Sequence, residues 1–385
     1  MGDVAGESPP RSRRLRFALL TTWMVVAIIA LLSAFAWRYY QSPASARRVH
    51  QRAWEASFRE RGLPVPARGP RDGYLSQRVG VRQPHEVLGW VEPAMSIPGL
   101  VEIDERGWQH DAPPGHAAHR ILVLGGSVAF GSYASRIDTT WFHLLGRQLA
   151  SDPRSASEIV VVASVAWKSI QEVAALLLSI DEIDPDLVVM LDGLNDLTNG
   201  ATAETLYGRE VPMPEGEAWT PLYHAHDYEA RVRGYLDHVS RAAGATERRG
   251  IPLLVVLQPA LFERAHPSGL EAQLLRASLR PHASRGHLER SYAVMRAGLA
   301  RLAQHPAVDF LDASTLFAGE SATTFADMWH FSDPGQAILA RAVARRIQPL
   351  LLRERGASWK PADTDIVVRS RRPERVLPDP QEQSR

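Results

Sequence analysis

The chain of 385 residues contains no cysteine. That excludes disulfide scaffolds, thiolate zinc sites, iron–sulfur clusters and cysteine nucleophiles, so any chemistry must come from oxygen and nitrogen groups. A charge excess of either sign is also missing: 44 Lys+Arg stand against 43 Asp+Glu, a formal net charge of +1. A protein that grips nucleic acid by bulk charge carries a basic surplus, and nucleic acid is not expected as a partner here. The overall balance, 45% hydrophobic and 23% charged, argues against wholesale disorder. Long apolar runs are scarce as well, with one exception near the N-terminus.

That exception is FALLTTWMVVAIIALLSAFAW, residues 17–37, which carries no charge. At about 1.5 Å per residue a helix of this length crosses the roughly 30 Å hydrocarbon core of a bilayer. Arg11, Arg13, Arg14 and Arg16 precede it, and Trp37, Arg38, Tyr39 and Tyr40 form an interfacial collar at its far end. Ala34-Phe35-Ala36 resembles a small-x-small cleavage site. The apolar stretch nevertheless exceeds the roughly 7–15 residues of a cleaved signal, which favours an uncleaved anchor. Arg38, Arg47, Arg48 and Arg52 nearly balance the charges on the other side, so orientation rests on the long domain that follows. The expectation is a single-pass protein, with residues 1–16 cytoplasmic and the bulk periplasmic or extracellular. Residues 38–85, rich in Arg, Pro, Ser and Gly, read as a stalk. Residues 356–385, rich in Pro and mixed charge, read as a disordered tail.

Between these lies a folded domain, expected over 86–355. Five short apolar runs punctuate it: ILVLGG (121–126), IVVVAS (159–164), LVVMLDG (187–193), PLLVVLQP (252–259) and VDFLDA (308–313). Continuous β-branched runs of this kind are strands buried on both faces of a parallel sheet. Helical segments at 139–150, 169–180, 228–243, 288–303 and 334–352 separate or follow them, the second opening with Ser169 and Glu172 at capping-box spacing. Strand–helix alternation predicts a three-layer, doubly wound α/β fold, flavodoxin-like, with a five-stranded parallel sheet.

In such sheets ligands bind beyond the carboxyl ends of the strands. Gly125-Gly126-Ser127 follows the first run, Gly193-Leu194-Asn195-Asp196 the third, and Asp327-Met328-Trp329-His330 precedes the last helix. Ser, Asn, Asp and His therefore converge on one edge. The set is chemically complete: a serine hydroxyl becomes a nucleophile when a histidine takes its proton, and the imidazole needs an acceptor on its other nitrogen. An amide and backbone N–H groups can hold the oxyanion.

These blocks, in this order, resemble the SGNH (GDSL-type) hydrolase family over roughly residues 86–355. The resemblance implies Ser127 as nucleophile, His330 as base and Asp327 as its orienting carboxylate. It implies an oxyanion hole built from the Ser127 and Ala166 backbone N–H groups and the Asn195 amide. No metal or organic cofactor is implied. The substrates implied are acyl or acetyl esters on glycans, lipids or small molecules, which makes the chain a membrane-anchored serine esterase. Two departures stand out. Gly126 replaces the Asp of the name-giving motif, and Ala166, within Ser164-Val165-Ala166-Trp167-Lys168-Ser169, replaces the glycine of the second block. Alanine supplies the same N–H if its φ is negative and is strained if φ is positive. An O-acyltransferase acting on exported polysaccharide would use the same site, and a degenerate membrane-tethered scaffold would follow from a failed second block.

Competing motifs fit less well. The Gly125–Gly131 stretch has neither the Lys-Ser/Thr ending of a phosphate loop nor a complete G-x-G-x-x-G, and Ala129 breaks the G-x-S-x-G elbow. His224 and His226 form an H-x-H without supporting carboxylates. Phe130, Tyr133, Trp167 and Trp329 are expected to pack the rim of the site, with contact to a sugar or acyl group a less favoured alternative for Trp329.

Overall fold

In the computed structural model, secondary structure is described for residues 11–40, 52, 55–56, 59, 83–111, 117–198, 228–278 and 285–352. Most of the expected stalk, the whole expected tail and the His224/His226 pair lie outside the described residues. Helix α1 covers Arg11–Tyr40, and its described side chains, residues 19–34, are all exposed. Among the described residues no helix is long and apolar enough to cross a membrane. Positions 19–34 alone make roughly 24 Å of helix, short of a bilayer core.

Residues 83–110 form two small antiparallel hairpins, β1 (Gln83–His85) with β2 (Gly89–Val91) and β3 (Met95–Ile97) with β4 (Val101–Ile103), followed by β5 (Gln109–His110). The main sheet then takes β6 (His119–Gly125), β7 (Ser157–Ala163), β8 (Leu187–Asp192), β9 (Leu253–Leu257) and β10 (Val308–Asp312). All five run parallel, in the order β10-β9-β8-β6-β7. This is the flavodoxin-like 2-1-3-4-5 order, which reverses direction between β6 and β8. The sheet differs from expectation in being mixed and six-stranded: β5 pairs antiparallel with β7, Gln109 opposite Val161. A two-residue edge strand has no apolar run and leaves no period to read.

The interior strands consist of Val, Ile, Leu and Met that are buried without alternation, as a sheet covered on both faces requires. Helix α2 (Trp141–Leu149) packs on α8 (Asp333–Leu351), while α3 (Ser169–Ile183), α5 (Tyr228–Glu247) and α7 (Arg285–Leu302) pack side by side. The chain crosses from β6 out to β7 through α2 and then from β7 back past β6 to β8 through α3, and right-handed crossovers in opposite directions put α2 and α3 on opposite faces. A short helix, α4 (Leu194–Thr198), follows β8. Helix α6 (Gly269–Ser278) does not appear among the helices the sequence predicts.

Helix α6 matters because it carries Glu271. This carboxylate is fully buried and takes Arg264 at 2.9 Å, the Thr324 and Phe325 backbone N–H groups at 2.8 and 3.1 Å, and the Ser268 N–H at 2.8 Å. Arg264 also donates to the Thr324 hydroxyl and to the Glu320 and Ala322 carbonyls. A buried ion pair surrounded by this many donors fixes the 320–325 segment, which leads into the Asp327–His330 block. Removing one partner of such a pair leaves an uncompensated charge. Glu271→Ala should therefore lower the stability to urea unfolding by about 3–5 kcal/mol; a loss under about 1 kcal/mol would show that the pair is dispensable.

Candidate active site

The segment after β6 turns back on itself: Phe130 N–H donates to the Gly126 carbonyl and Ser132 N–H to the Ser127 carbonyl, each at 3.0 Å. The Trp141 indole N–H reaches the Val128 and Ala129 carbonyls at 3.1 Å. Gln336, in the first turn of α8, accepts from Trp141 N–H at 3.0 Å and donates to the Ser132 carbonyl at 3.1 Å. The opposite loop is a narrow hairpin, closed by Ala326 N–H to the His330 carbonyl and Ser332 N–H to the Thr324 carbonyl, both 2.9 Å. Phe317, Phe325 and Phe331 brace it edge to face, with centroids 5.2–5.5 Å apart. Asp333 ties the two loops together, accepting from the Ser135 N–H and hydroxyl at 2.9 and 2.6 Å and from the Thr139 hydroxyl at 3.1 Å.

Held in this way, His330 Nε2 lies 2.7 Å from Ser127 Oγ, and His330 Nδ1 lies 2.7 Å from Asp327 Oδ2. The second Asp327 oxygen accepts from the backbone N–H groups of Trp329 and His330, both at 2.7 Å. The carboxylate is thereby locked, and it fixes the imidazole tautomer with its proton on Nδ1 and an acceptor facing the serine. The His330 side chain is 11% exposed and Ser127 7%, so both are largely sheltered from solvent. Tyr133 stacks on His330 with ring centroids 4.8 Å apart and planes 17° from parallel. Tyr133 does so from a left-handed backbone, φ 66°, and no sequence pattern signals the stack. Of the expected rim aromatics, Phe130 and Trp167 are instead buried in the core, while Trp329 is half-buried against it.

Asn195, the second residue of α4, donates its side-chain N–H to the Trp167 carbonyl at 2.8 Å. A carbonyl can only accept, so this bond fixes which end of the amide is nitrogen and leaves a second N–H on it to donate elsewhere. Gly126 is needed for this approach: a Cβ there would overlap the Asn195 amide and lie 3.1 Å from the Trp167 carbonyl. The Asp of the name-giving motif would require the Asn195 amide to shift. Ala166 has φ 68°, the left-handed value at which glycine is at home and alanine is strained. Among the described residues no group of three or more His, Asp or Glu is arranged to hold a metal.

A buried polar cluster adjoins these donors. Ser169 is the first helical residue of α3, not its cap; the cap is Lys168, whose N–H donates to Gln171 Oε1 at 3.1 Å. Ser169 gives its hydroxyl to Asp196 Oδ1 at 2.6 Å and its N–H to Asp196 Oδ2 at 3.2 Å. The hydroxyl oxygen then accepts from His238 Nδ1 at 2.8 Å. Glu172, the other half of the expected capping box, is fully buried instead, and among the described residues no N–H or O–H donates to either of its oxygens. Burial, with Asp192 close by, drives its pKa well up. The shift favours the protonated form of Glu172 beside Asp192, and Asp192 takes the Tyr235 hydroxyl at 2.8 Å. Burial likewise pushes Asp196 up to about 7 and brings Lys168 down to about 8.

The GDSL-like lipase/acylhydrolase family matches residues 123–338, more than half of the chain. Among curated proteins, none matches. Among solved structures, the chain is similar to an acetyl xylan esterase, AlAXEase, with 15% identity, 59% of this chain and 99% of that one covered, and a TM-score of 0.38. It is similar to the lipase Lip_vut3 from a goat rumen metagenome, with 13% identity, 59% and 97% covered and a TM-score of 0.43. A third similarity is to the acetylxylan esterase Axe2 from Geobacillus stearothermophilus, with 15% identity, 62% and 98% covered and a TM-score of 0.39. None of these likenesses bears on substrate.

Two members of the cluster give stability pH dependences of opposite sign. A carboxyl whose pKa is about 7 when folded retains a proton that the unfolded chain has lost above about pH 4, so its contribution falls as pH rises from about 4 to about 7. His238, lowered to about 4 by burial, acts the other way, since the unfolded chain binds that proton below about pH 6.5. Asp196→Asn removes the first effect alone. Urea unfolding at about pH 5 and about pH 7.5 should show the variant gaining on the wild type at the higher pH; an unchanged difference would mean that Asp196 ionises as an ordinary carboxyl.

Proposed function

We propose, since the chain belongs to the GDSL-like lipase/acylhydrolase family, that it cleaves acyl or acetyl esters through Ser127, His330 and Asp327. It is a carboxylic ester hydrolase. The observation that carries the residue assignment is the unbroken hydrogen-bonded line Ser127 Oγ, His330 Nε2, His330 Nδ1, Asp327 Oδ2, both links 2.7 Å. Ser127 Oγ adds to the ester carbonyl as His330 takes its proton. The negative oxygen of the tetrahedral intermediate is held by the Ser127 and Ala166 N–H groups and the Asn195 amide. His330 then passes the proton to the departing alcohol, leaving an acyl group on Ser127 Oγ. Water, deprotonated by His330, attacks that acyl group and releases the acid with Ser127 restored.

Anchoring at a membrane, with the catalytic domain outside the cytoplasm, is part of the same proposal. It is supported by the charge-free stretch 17–37, the helix over Arg11–Tyr40 and the exposure of its apolar side chains at 19–34. The substrate is then an ester on a glycan, lipid or small molecule outside the cytoplasm.

One experiment tests both parts. Carbonate-washed membranes from cells producing the full chain are assayed with short-chain nitrophenyl esters, with and without added glycan. Activity should stay with the washed membranes and fall about 10³-fold or more in Ser127→Ala and His330→Ala. Equal activity in all three proteins would refute the residue assignment, and activity washed into the supernatant would refute the anchor. Acyl transfer to the glycan in preference to water would make the enzyme a transferase. An inactive wild-type chain would favour a tethered scaffold.

A further inference from the structure

The strained Ala166 turn is held from outside the family-matched region. Residues 88–92, β2 and the residue on either side of it, lie across the 164–171 segment. Glu92 Oε1 accepts from the Ser164 hydroxyl at 2.8 Å and from Val165 N–H at 3.3 Å. The Trp90 indole N–H donates to the Val165 carbonyl at 3.2 Å, and the Trp167 indole N–H donates back to the Trp90 carbonyl at 3.0 Å. Gln171 donates to the Leu88 carbonyl at 2.8 Å. Trp90, Glu92, Trp167 and Gln171 are all buried. The bond to the Val165 carbonyl is the informative one. That carbonyl and the Ala166 N–H belong to one peptide unit, which is planar and trans. The two groups point in opposite directions, so fixing the oxygen aims the N–H.

We infer that Trp90 and Glu92 are positioning residues for the oxyanion hole. They hold the 165–166 peptide so that an alanine keeps the left-handed backbone that a glycine would adopt unaided, and they fix the direction of the Ala166 N–H. This rests on the esterase reading above and adds to it a strap that compensates for the missing glycine. Left-handed backbone at an alanine carries a penalty equivalent to roughly 5–30-fold in population. Without the strap the turn relaxes by about that factor, and the donor turns away.

The test uses the full chain carrying Trp90→Phe, which removes the indole N–H and keeps an aromatic ring. Glu92→Ala and Glu92→Gln serve as a second pair, and each is made with and without Ala166→Gly. With nitrophenyl acetate, kcat should fall about 5–30-fold in Trp90→Phe and Glu92→Ala with KM within about twofold, and Glu92→Gln should recover most of the loss. The loss caused by Trp90→Phe should shrink in the Ala166→Gly background, because glycine does not need the strap. An equal loss in both backgrounds, or no loss in either, would overturn the inference. Amide hydrogen exchange over 164–168 decides the same point without any turnover: it should quicken in Trp90→Phe while the melting transition persists, and unchanged exchange would overturn the inference. Absence of turnover in the wild-type chain would sink the esterase reading, and the exchange result would still decide whether the strap holds the turn.

Discussion

Ser127 Oγ and His330 Nε2 stand 2.7 Å apart with 203 positions of chain between them. A hydrogen bond of that length weakens steeply if either loop drifts or tilts, so the two loops must be fixed to a common frame. The parallel sheet supplies the coarse frame, since β6 delivers Ser127 at its carboxyl end beside the order reversal. The fine frame is the first turn of α8. Gln336 holds the serine loop through Trp141 and Ser132, and Asp333 holds it through Ser135 and Thr139. Because α8 begins three residues after His330, the same turn fixes both ends of the bond. The Arg264–Glu271 pair secures the other side of the histidine hairpin.

The arrangement is not relaxed. Tyr133 and Ala166 both hold left-handed backbone, and such outliers cost on the order of 1–3 kcal/mol each. Three carboxyl groups, Glu172, Asp192 and Asp196, are buried close to one another. The bonds from Tyr235 to Asp192 and from Ser169 to Asp196 lower that burden without removing it. Both kinds of tension sit against the proposed oxyanion donors. One physical reading unites them: Asp196 clamps the start of α3, Asn195 leans on the Trp167 carbonyl, and the strap pins Val165. The short segment 164–169 is thus tied down at each end and in the middle.

Much of this was legible in the sequence, for identifiable reasons. The five parallel strands declare themselves because strands covered on both faces must be continuously apolar, and the residues ending β6 and β8 follow from that. Asp327 and His330 are readable because their spacing is local. Strand β5, hairpins β1–β4 and helix α6 are not, being too short or too polar to set a period. Nor are the partners of Trp90 and Glu92, which lie 75 and 72 positions away. Ser169 and Glu172 have the right spacing for a capping box, but tertiary contacts to Asp196 and Asp192 override that local preference. Ala166 is the instructive case. The sequence poses a choice between negative and positive φ, and only the surrounding packing decides for the strained one.

The central claim is that Ser127 is a nucleophile made reactive by His330. Labelling the full chain with a fluorophosphonate and mapping the adduct by mass spectrometry tests it most directly, because the probe reports the attacking oxygen itself. A single adduct on Ser127, formed at a rate that collapses in His330→Ala, is the predicted result. An adduct on another residue, or labelling of Ser127 at the same rate without His330, would contradict it.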